Sequence, residues 1–212
     1  MTLIHSFLLG LIEGLTEFLP ISSTAHLIIA SKLLGIAKSD FLDSFLISIQ
    51  LGAILSVAVL YAQKLIKEPR LILKIAAAFI PTAVIGLAAY KLVKNYLMES
   101  LPLIAGALLI GGIILIVLEK YFARRQNKET EQDLERISYR QAACIGIFQS
   151  LAIIPGVSRS AATIMGGLSL GVSRKNIVEF SFLLALPTMA AATALDLYKT
   201  PPVLQGNDLL IW

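Results

Sequence analysis

Apolar residues run along this chain in long stretches, and charged residues gather in short segments between them. A transmembrane helix needs about 20 predominantly apolar residues. Two apolar regions are interrupted by a proline, one at Pro20 and the other at Pro155. Four further stretches are apolar and long enough to span: Phe41–Tyr61, Ile72–Leu92, Leu103–Tyr121 and Ile177–Leu197. The pattern predicts an all-α fold, a polytopic transmembrane helical bundle that forms a single domain over residues 1–212.

The composition supports a membrane protein. Of the 212 residues, 57% are hydrophobic and 15% are charged, and the mean hydropathy is +0.80. Soluble domains carry about 25% charged residues. The net charge of +4 does not indicate a nucleic-acid partner, because the Lys and Arg residues lie in short loops. The single cysteine, Cys144, excludes an internal disulfide and a cysteine-based metal site.

Basic residues in the loops predict how the chain crosses the membrane. They are concentrated in the segments Lys64–Lys74 and Lys120–Arg140, which two predicted spans separate. The two segments therefore share a side, and the positive-inside rule places that side in the cytoplasm. The loop Lys91–Leu101, with fewer basic residues, is predicted to be external.

The two proline-broken regions resemble each other. Glu13 of the first matches Gln149 of the second, and Ser22 matches Ser158 at the same spacing. The predicted spans place the two copies in the membrane from opposite faces, as in the inverted repeats of many transporters. We predict repeat one over about 1–121, a cytoplasmic loop over about 122–138 and repeat two over about 139–212.

Each copy can be arranged in two ways. If it formed two full spans, the two proline turns would lie at opposite faces of the membrane. If it formed a re-entrant helix-turn-helix, the turns would meet near the midplane, where non-helical backbone must line protein or water. We favour the re-entrant arrangement because it gathers Glu13, Glu17, His26 and Arg159 in one place.

The predicted repeats differ in length. Three spans follow the first copy, but only one span follows the second before the polar end at Trp212. By symmetry, the C-terminal helices of repeat two are expected to be missing, either because the chain is truncated or because its second half is shorter.

Two carboxylates in the first copy are a candidate metal site. Glu13 and Glu17 are four residues apart, so they lie on one helix face. Carboxylates at that spacing repel each other in a low-dielectric site. Mg²⁺ or Ca²⁺, which bind oxygen ligands, would relieve this repulsion. The alternative is that one glutamate pairs with Arg159 while the other faces water.

Hydroxyl groups follow both prolines. Such residues typically cap a helix N-terminus, and a helix N-terminus also favours anions. Arg159 adds a side chain suited to phosphate through its bidentate geometry. The combination predicts a site for phosphate or pyrophosphate. Its candidate binding residues are Ser22, Ser23 and Thr24 in the first copy and Ser158, Arg159, Ser160 and Thr163 in the second.

The remaining polar residues divide between chemistry and structure. His26 lies beside the hydroxyls and carboxylates, so it is a candidate general base or nucleophile. Charges near the ends of spans are expected to be solvated: Asp43, Glu119, Glu179 and Asp196. Three glycines are expected to allow close helix packing: Gly166, Gly167 and Gly171.

At these motifs the sequence resembles the undecaprenyl-pyrophosphate phosphatase family associated with bacitracin resistance. The resemblance lies in Glu13–His26 and Pro155–Thr163, and it extends to Glu179–Ala185 and Ala194–Lys199. It implies a bacterial inner-membrane enzyme that converts undecaprenyl pyrophosphate to undecaprenyl phosphate, with a cavity open to the periplasm. It also implies a lipid substrate. The predicted assembly is a homodimer.

The resemblance implies roles for the motif residues. Glu13 and Glu17 match the acidic motif, implicated in metal binding or catalysis. Ser23 and His26 match residues considered as nucleophile or base, and the motif around Arg159 holds the pyrophosphate. A Ser or His nucleophile and a metal-activated water all remain open as routes. The alternative functions are a polyprenyl-phosphate carrier or flippase using the same anion site and, more weakly, an inactive membrane scaffold.

Overall fold

The computed structural model describes residues 1–97, 100–123 and 134–199, and within those ranges the secondary structure is entirely helical. Short non-α turns occur at Val93–Leu97 (π), Leu134–Arg136 (3-10) and Ser150–Ile153 (3-10). The α-helices in chain order are α1 (Leu3–Thr16), α2 (Ser23–Leu33), α3 (Asp40–Lys67), α4 (Pro69–Leu92), α5 (Leu101–Ala123), α6 (Tyr139–Gln149), α7 (Arg159–Ser169) and α8 (Arg174–Lys199). This architecture confirms the predicted all-α bundle.

The long helices α3, α4, α5 and α8 coincide with the four predicted spans and are apolar and long enough to cross a membrane. Their starts follow ordinary helix chemistry. The Ser39 side chain accepts a hydrogen bond from the Leu42 amide at 3.1 Å and caps α3. Pro69 opens α4 at a position where its missing N–H is not needed.

The other four helices are short. Helix α1 has 14 residues, and α2, α6 and α7 have 11 each. At 1.5 Å per residue they reach roughly 16–21 Å, less than the ~30 Å hydrocarbon core. The Ser160 hydroxyl donates to the Leu19 carbonyl at 3.2 Å, so the two proline turns meet. This contact excludes turns that lie a membrane apart and fits the re-entrant arrangement, whereas the inverted relation and the repeat bounds stay predictions.

The crossing of α4 and α6 is close because of Gly146. A Cβ at this position would collide with the backbone carbonyl of Ala78 and approach the Pro81 ring at 2.9 Å. Across the same crossing, the Thr82 hydroxyl donates to the Gly146 carbonyl at 2.8 Å. Elsewhere, α3 packs against α8, and α7 packs against both α6 and α8.

Two of the three glycines predicted to allow close packing do so. A Cβ on Gly166 would clash with Phe148, and one on Gly167 would clash with Ile177. The prediction is wrong for Gly171, which faces open space and has φ +79°. Gly171 instead lies in the turn after α7, where the left-handed conformation suits glycine.

Ion pairs tie one end of the bundle. Lys64 at the end of α3 meets Glu179 on α8 at 2.7 Å, and Arg174 at the start of α8 meets Glu119 on α5 at 2.8 Å. The ends of α3 and α5 and the start of α8 therefore lie together. This geometry confirms that the two basic segments share a side. Which side is cytoplasmic stays a prediction.

The opposite end holds a buried polar contact that corrects one expectation. Asp196 is only 4% exposed, and it accepts a hydrogen bond from the Ser44 hydroxyl at 2.6 Å. It was expected to be solvated because it lies near the end of a span, but α3 covers it. Glu179 is also mostly buried, at 16% side-chain exposure, and it is paired with Lys64.

Parts of two expectations lie outside the described residues. Most of the predicted loop over about 122–138 and the segment 200–212, on which the expected missing helices depend, belong to these parts.

Candidate active site

An ion pair between the two proline turns forms the centre of the site. Arg159 Nη2 lies 2.6 Å from Glu17 Oε1, and the two side chains are 9% and 3% exposed. Glu17 caps the end of α1, and Arg159 is the first residue of α7. The Arg159 Nη1 group also donates to the Ser181 carbonyl on α8 at 3.0 Å. The guanidinium is therefore fixed between the first motif and a long helix.

The second oxygen of Glu17 is held by a serine. The Ser23 hydroxyl donates to Glu17 Oε2 at 2.5 Å. Ser22, the residue before α2, has φ +64°, in the left-handed region, and makes no side-chain capping bond. The chain therefore turns sharply at Ser22, directly before Ser23. The turn directs the Ser23 hydroxyl toward the carboxylate, whereas capping was the expected role of these hydroxyls.

Glu13 lies one helical turn before Glu17 and is 1% exposed. Neither of its carboxylate oxygens has a hydrogen-bond partner among the residues that the structure describes. The structure agrees with only part of the ion-pair alternative, and the cation alternative stays a prediction. Glu17 pairs with Arg159, as the second alternative expected, but Glu13 is buried and does not face water.

The buried Glu13 carboxylate is a candidate cation ligand. A buried carboxylate without a partner is strongly unfavourable, so a bound cation would stabilise it. Within the described ranges, no group of three His, Cys, Asp or Glu residues surrounds this position. The donor set of Glu13 and Glu17 therefore fits a hard cation only if water or phosphate oxygens supply its other ligands, as Mg²⁺ commonly requires.

The second turn is held by its own hydroxyls. The Ser158 Oγ accepts from the Ala161 amide at 3.2 Å and lies 3.1 Å from the Ser160 Oγ. Thr163 is fully buried, and its Oγ1 lies 2.5 Å from the Ser181 Oγ. These contacts fix the first turn of α7, and with it the backbone that carries Arg159.

His26 and Thr24 are not joined to the ion pair. The His26 Nδ1 lies 2.8 Å from the Ser22 carbonyl, so it must donate, which leaves Nε2 as the acceptor of a neutral ring. Thr24 donates to the Gln50 side chain at 3.3 Å. Within the described part of the chain, the His26 side chain makes no hydrogen bond to Glu13, Glu17 or Arg159.

The His26 ring lies in the wall of a groove between α1 and α2. The groove has a volume of about 340 Å³. The Thr16 hydroxyl donates to the Ile12 carbonyl at 2.8 Å, so its hydrogen is not available to a molecule in the groove. The groove is lined by Ile12, Leu15, Thr16, His26, Ile29, Ala30 and Leu33.

Sequence reasoning missed two polar residues that hold the site. Ser181 is fully buried and contacts both Arg159 and Thr163, although the sequence pattern indicated no role for it. Gln149 is 1% exposed and binds Thr82 and Thr188. Its match to Glu13 in the repeat was the available signal.

Comparisons with known proteins agree on one family. A family profile described as "Bacitracin resistance protein BacA" matches residues 6–211. An undecaprenyl-diphosphatase of Wolinella succinogenes is 50% identical over 209 residues, covering 99% of this chain and 80% of the relative. One from Aquifex aeolicus is 50% identical over 200 residues, covering 94% and 77%. One from Bdellovibrio bacteriovorus is 48% identical over 214 residues, covering 100% and 80%.

Proposed function

This chain belongs to the BacA family of bacitracin resistance proteins, and from that membership we propose that the cluster around Glu17 and Arg159 is its phosphatase site. The chain is an undecaprenyl-diphosphatase, a membrane hydrolase that converts undecaprenyl pyrophosphate to undecaprenyl phosphate. The reaction recycles the lipid carrier of the cell wall and confers bacitracin resistance. The ion pair that joins Glu17 to Arg159 across 142 residues carries the assignment of the site.

Arg159 is suited to bind the terminal phosphate. Its Nη1 is held by the Ser181 carbonyl, and its buried Nε has no partner among the described residues. The free N–H can donate to a phosphate oxygen while the Ser181 contact keeps the guanidinium in place. A fixed cation beside the transferred phosphoryl group stabilises the charge that develops there in the transition state.

The contact between Ser23 and Glu17 supports Ser23 as the nucleophile. Ser23 Oγ attacks the terminal phosphorus as Glu17 accepts its proton, and the bond to the bridging oxygen breaks. Undecaprenyl phosphate leaves, and water then cleaves the phosphoserine to release inorganic phosphate and restore the hydroxyl. His26 is placed less well for proton transfer, since its Nδ1 is committed to the Ser22 carbonyl.

Glu13 and Glu17 would hold a divalent cation, Mg²⁺ or Ca²⁺. The buried Glu13 carboxylate, which lacks a hydrogen-bond partner among the described residues, supports this assignment. Such a cation would neutralise negative charge on the pyrophosphate. Glu13 would be the principal ligand, and Glu17 would contribute through its remaining lone pairs, since each of its oxygens already accepts one hydrogen bond, from Arg159 or from Ser23.

The groove between α1 and α2 would hold the polyprenyl tail next to the head group. Its walls belong to the two helices that carry Glu17 and Ser23 at their ends. Leu15 and Leu33 on its rim are 65% and 83% exposed, so the groove is open to the surrounding lipid. A lipid substrate could therefore enter from the bilayer, and its pyrophosphate would reach the turn.

The membrane setting follows from the same family membership. We place the protein in the bacterial cytoplasmic membrane, with the basic ends of α3 and α5 inside and the site open to the periplasm. A homodimer stays a prediction, which molecular-mass measurement in detergent would test.

The deciding experiment is phosphate release from undecaprenyl pyrophosphate by the detergent-purified chain. It is run with Mg²⁺ or Ca²⁺ and then with a chelator, beside an Arg159→Ala control. Release by the unmodified chain that the control lacks is the expected result. Equal release by both chains would contradict the proposed site. If the unmodified chain releases phosphate with Mg²⁺ or Ca²⁺ but not with chelator, the result supports a bound divalent cation.

A further inference from the structure

The end of α6 and two helices that contain an internal proline, α4 and α8, meet at one buried side chain, Gln149. We propose that Gln149 is a positioning residue. It fixes where the 150–158 turn lies along α8, and this turn fixes the position of Arg159. This inference rests on the function proposed above for Arg159.

The amide of Gln149 joins three helices. It is the last residue of α6, and its Nε2 donates to Thr82 Oγ1 on α4 at 3.1 Å and to Thr188 Oγ1 on α8 at 3.0 Å. Both hydrogens of the amide nitrogen are thereby used. The end of α6 is consequently held to both neighbouring helices at one point.

The two threonines can only accept from residue 149. The Thr82 hydroxyl lies 2.8 Å from the Gly146 carbonyl, and the Thr188 hydroxyl lies 2.8 Å from the Leu184 carbonyl. A hydroxyl has one hydrogen to donate, and a carbonyl can only accept it. Position 149 therefore needs a group with two N–H donors, which glutamate lacks. This requirement accounts for Gln149 where the first copy has Glu13.

The turn is tied at both ends to one helix. Gln149, before the turn, is bound to Thr188, and Arg159, after the turn, is bound to the Ser181 carbonyl. The two anchor points on α8 are roughly two helical turns apart, or about 10 Å. They therefore lie on nearly the same face of α8. A shift of the turn at Gln149 would pass directly to Arg159, whose pairing with Glu17 requires close contact.

Prolines make the helices that Gln149 joins less rigid. Thr82 directly follows Pro81 in α4, and Thr188 directly follows Pro187 in α8. A proline within a helix removes one backbone hydrogen bond and permits a kink. The two hydrogen bonds of the Gln149 side-chain amide lie directly beside these prolines and join α4 to α8 there.

The test replaces Gln149 with leucine and measures turnover of undecaprenyl pyrophosphate together with the thermal midpoint. Leucine has a similar size, lacks the donors and also removes the Gln149 Oε1, a buried acceptor that has no partner among the described residues. We expect kcat to fall roughly 10- to 100-fold, as misplacement by about 1 Å can produce. Gln149→Glu should lose activity similarly, and Thr188→Val should reproduce part of the loss.

Ser44→Ala is the matched control. It too removes a buried hydrogen bond to α8, but at Asp196 and away from the turn. The control should lower the thermal midpoint about as much as Gln149→Leu and leave kcat near that of the unmodified chain. Equal kcat in the control and in Gln149→Leu would overturn the positioning role.

A double-mutant cycle with Arg159→Lys tests whether Gln149 acts through Arg159. If it does, adding Gln149→Leu to Arg159→Lys should reduce kcat by much less than it does in the unmodified chain, because coupled residues are not additive. The same fold-loss in both backgrounds would contradict the inference. Full activity of Arg159→Lys and Arg159→Ala would instead refute the proposed phosphatase site, so the two failures are distinguishable.

Discussion

The turn between α1 and α2 and the turn between α6 and α7 resemble each other in sequence but carry opposite charge. We call residues 13–26 the acidic turn and residues 149–163 the basic turn. Glu13 in the acidic turn corresponds to Gln149 in the basic turn. The carboxylate of Glu13 has no partner among the described residues, whereas both N–H groups of Gln149 are bonded.

The serines show the same contrast. Ser158 in the basic turn caps α7 by accepting from the Ala161 amide. Its counterpart Ser22 makes no capping bond with its side chain, and Ser23 donates to Glu17. The basic turn therefore uses the Ser158 hydroxyl to cap its own helix, whereas the acidic turn directs the Ser23 hydroxyl to a carboxylate of the proposed site. That proposed site lies where the two turns meet.

Exchanging the charges of Glu17 and Arg159 is the most direct test of the contrast between the two turns. Either single reversal leaves two like charges buried together, and removing one member of a buried pair costs about 3–5 kcal/mol. Glu17→Arg combined with Arg159→Glu should recover part of the stability that each single change loses. Activity should stay at least about a thousandfold down, because the cation then lies where Ser23 needs an acceptor.

Thermal unfolding in detergent and phosphate release measure these two effects separately. Activity in the exchanged protein close to that of the unmodified chain would show that the two turns are interchangeable, contrary to the proposal.

Glu13→Gln makes the acidic turn resemble the basic one. We expect activity to fall roughly 100- to 1,000-fold, because an electrostatic group at the reacting phosphate is lost. The dependence on Mg²⁺ or Ca²⁺ should weaken at the same time. A titration of phosphate release against each cation measures both effects.

Glu179→Gln is the matched control for Glu13→Gln. It also removes a mostly buried carboxylate, but one paired with Lys64 at the end of the bundle. The control should keep the cation dependence of the unmodified chain. If Glu13→Gln keeps it as well, the cation is not bound by Glu13.

The spans were predictable because each depends only on a run of apolar residues. Helices α3, α4, α5 and α8 satisfy that local condition, and the structure extends their bounds by a few residues. The gathering of Glu17 and Arg159 was also expected, because a charge in an apolar run needs a partner.

The specific partners were not predictable, since they depend on packing between distant segments. Ser44 and Asp196 are 152 residues apart, and only the contact of α3 with α8 makes Asp196 a buried group. The absence of a capping hydrogen bond from the Ser22 side chain has a related reason. Its left-handed φ is a property of the folded turn that the residue type did not indicate.

Ser23→Ala and Ser158→Ala test the contrast between the two serines. Loss of the Ser23 hydroxyl should lower activity by about a hundredfold or more, because the proposed nucleophile is absent. Loss of the Ser158 cap should lower the free energy of unfolding by about 1 kcal/mol, with a smaller effect on activity. Phosphate release and thermal unfolding of both variants distinguish the two roles. The opposite assignment of effects would show that the basic turn carries the nucleophile.

The smallest expected effect concerns the backbone of the acidic turn. A non-glycine residue in the left-handed region is strained by about 1–2 kcal/mol, and glycine loses about 0.5–1 kcal/mol through its greater entropy when unfolded. Ser22→Gly should therefore raise the free energy of unfolding by at most about 1.5 kcal/mol. Gly156→Ala, the matched change in the basic turn, should lower it, because φ is +102° and a Cβ would approach the Ile104 carbonyl at 2.6 Å. Destabilisation by Ser22→Gly would mean that the Ser22 side chain stabilises the acidic turn, as the Ser158 side chain stabilises the basic turn.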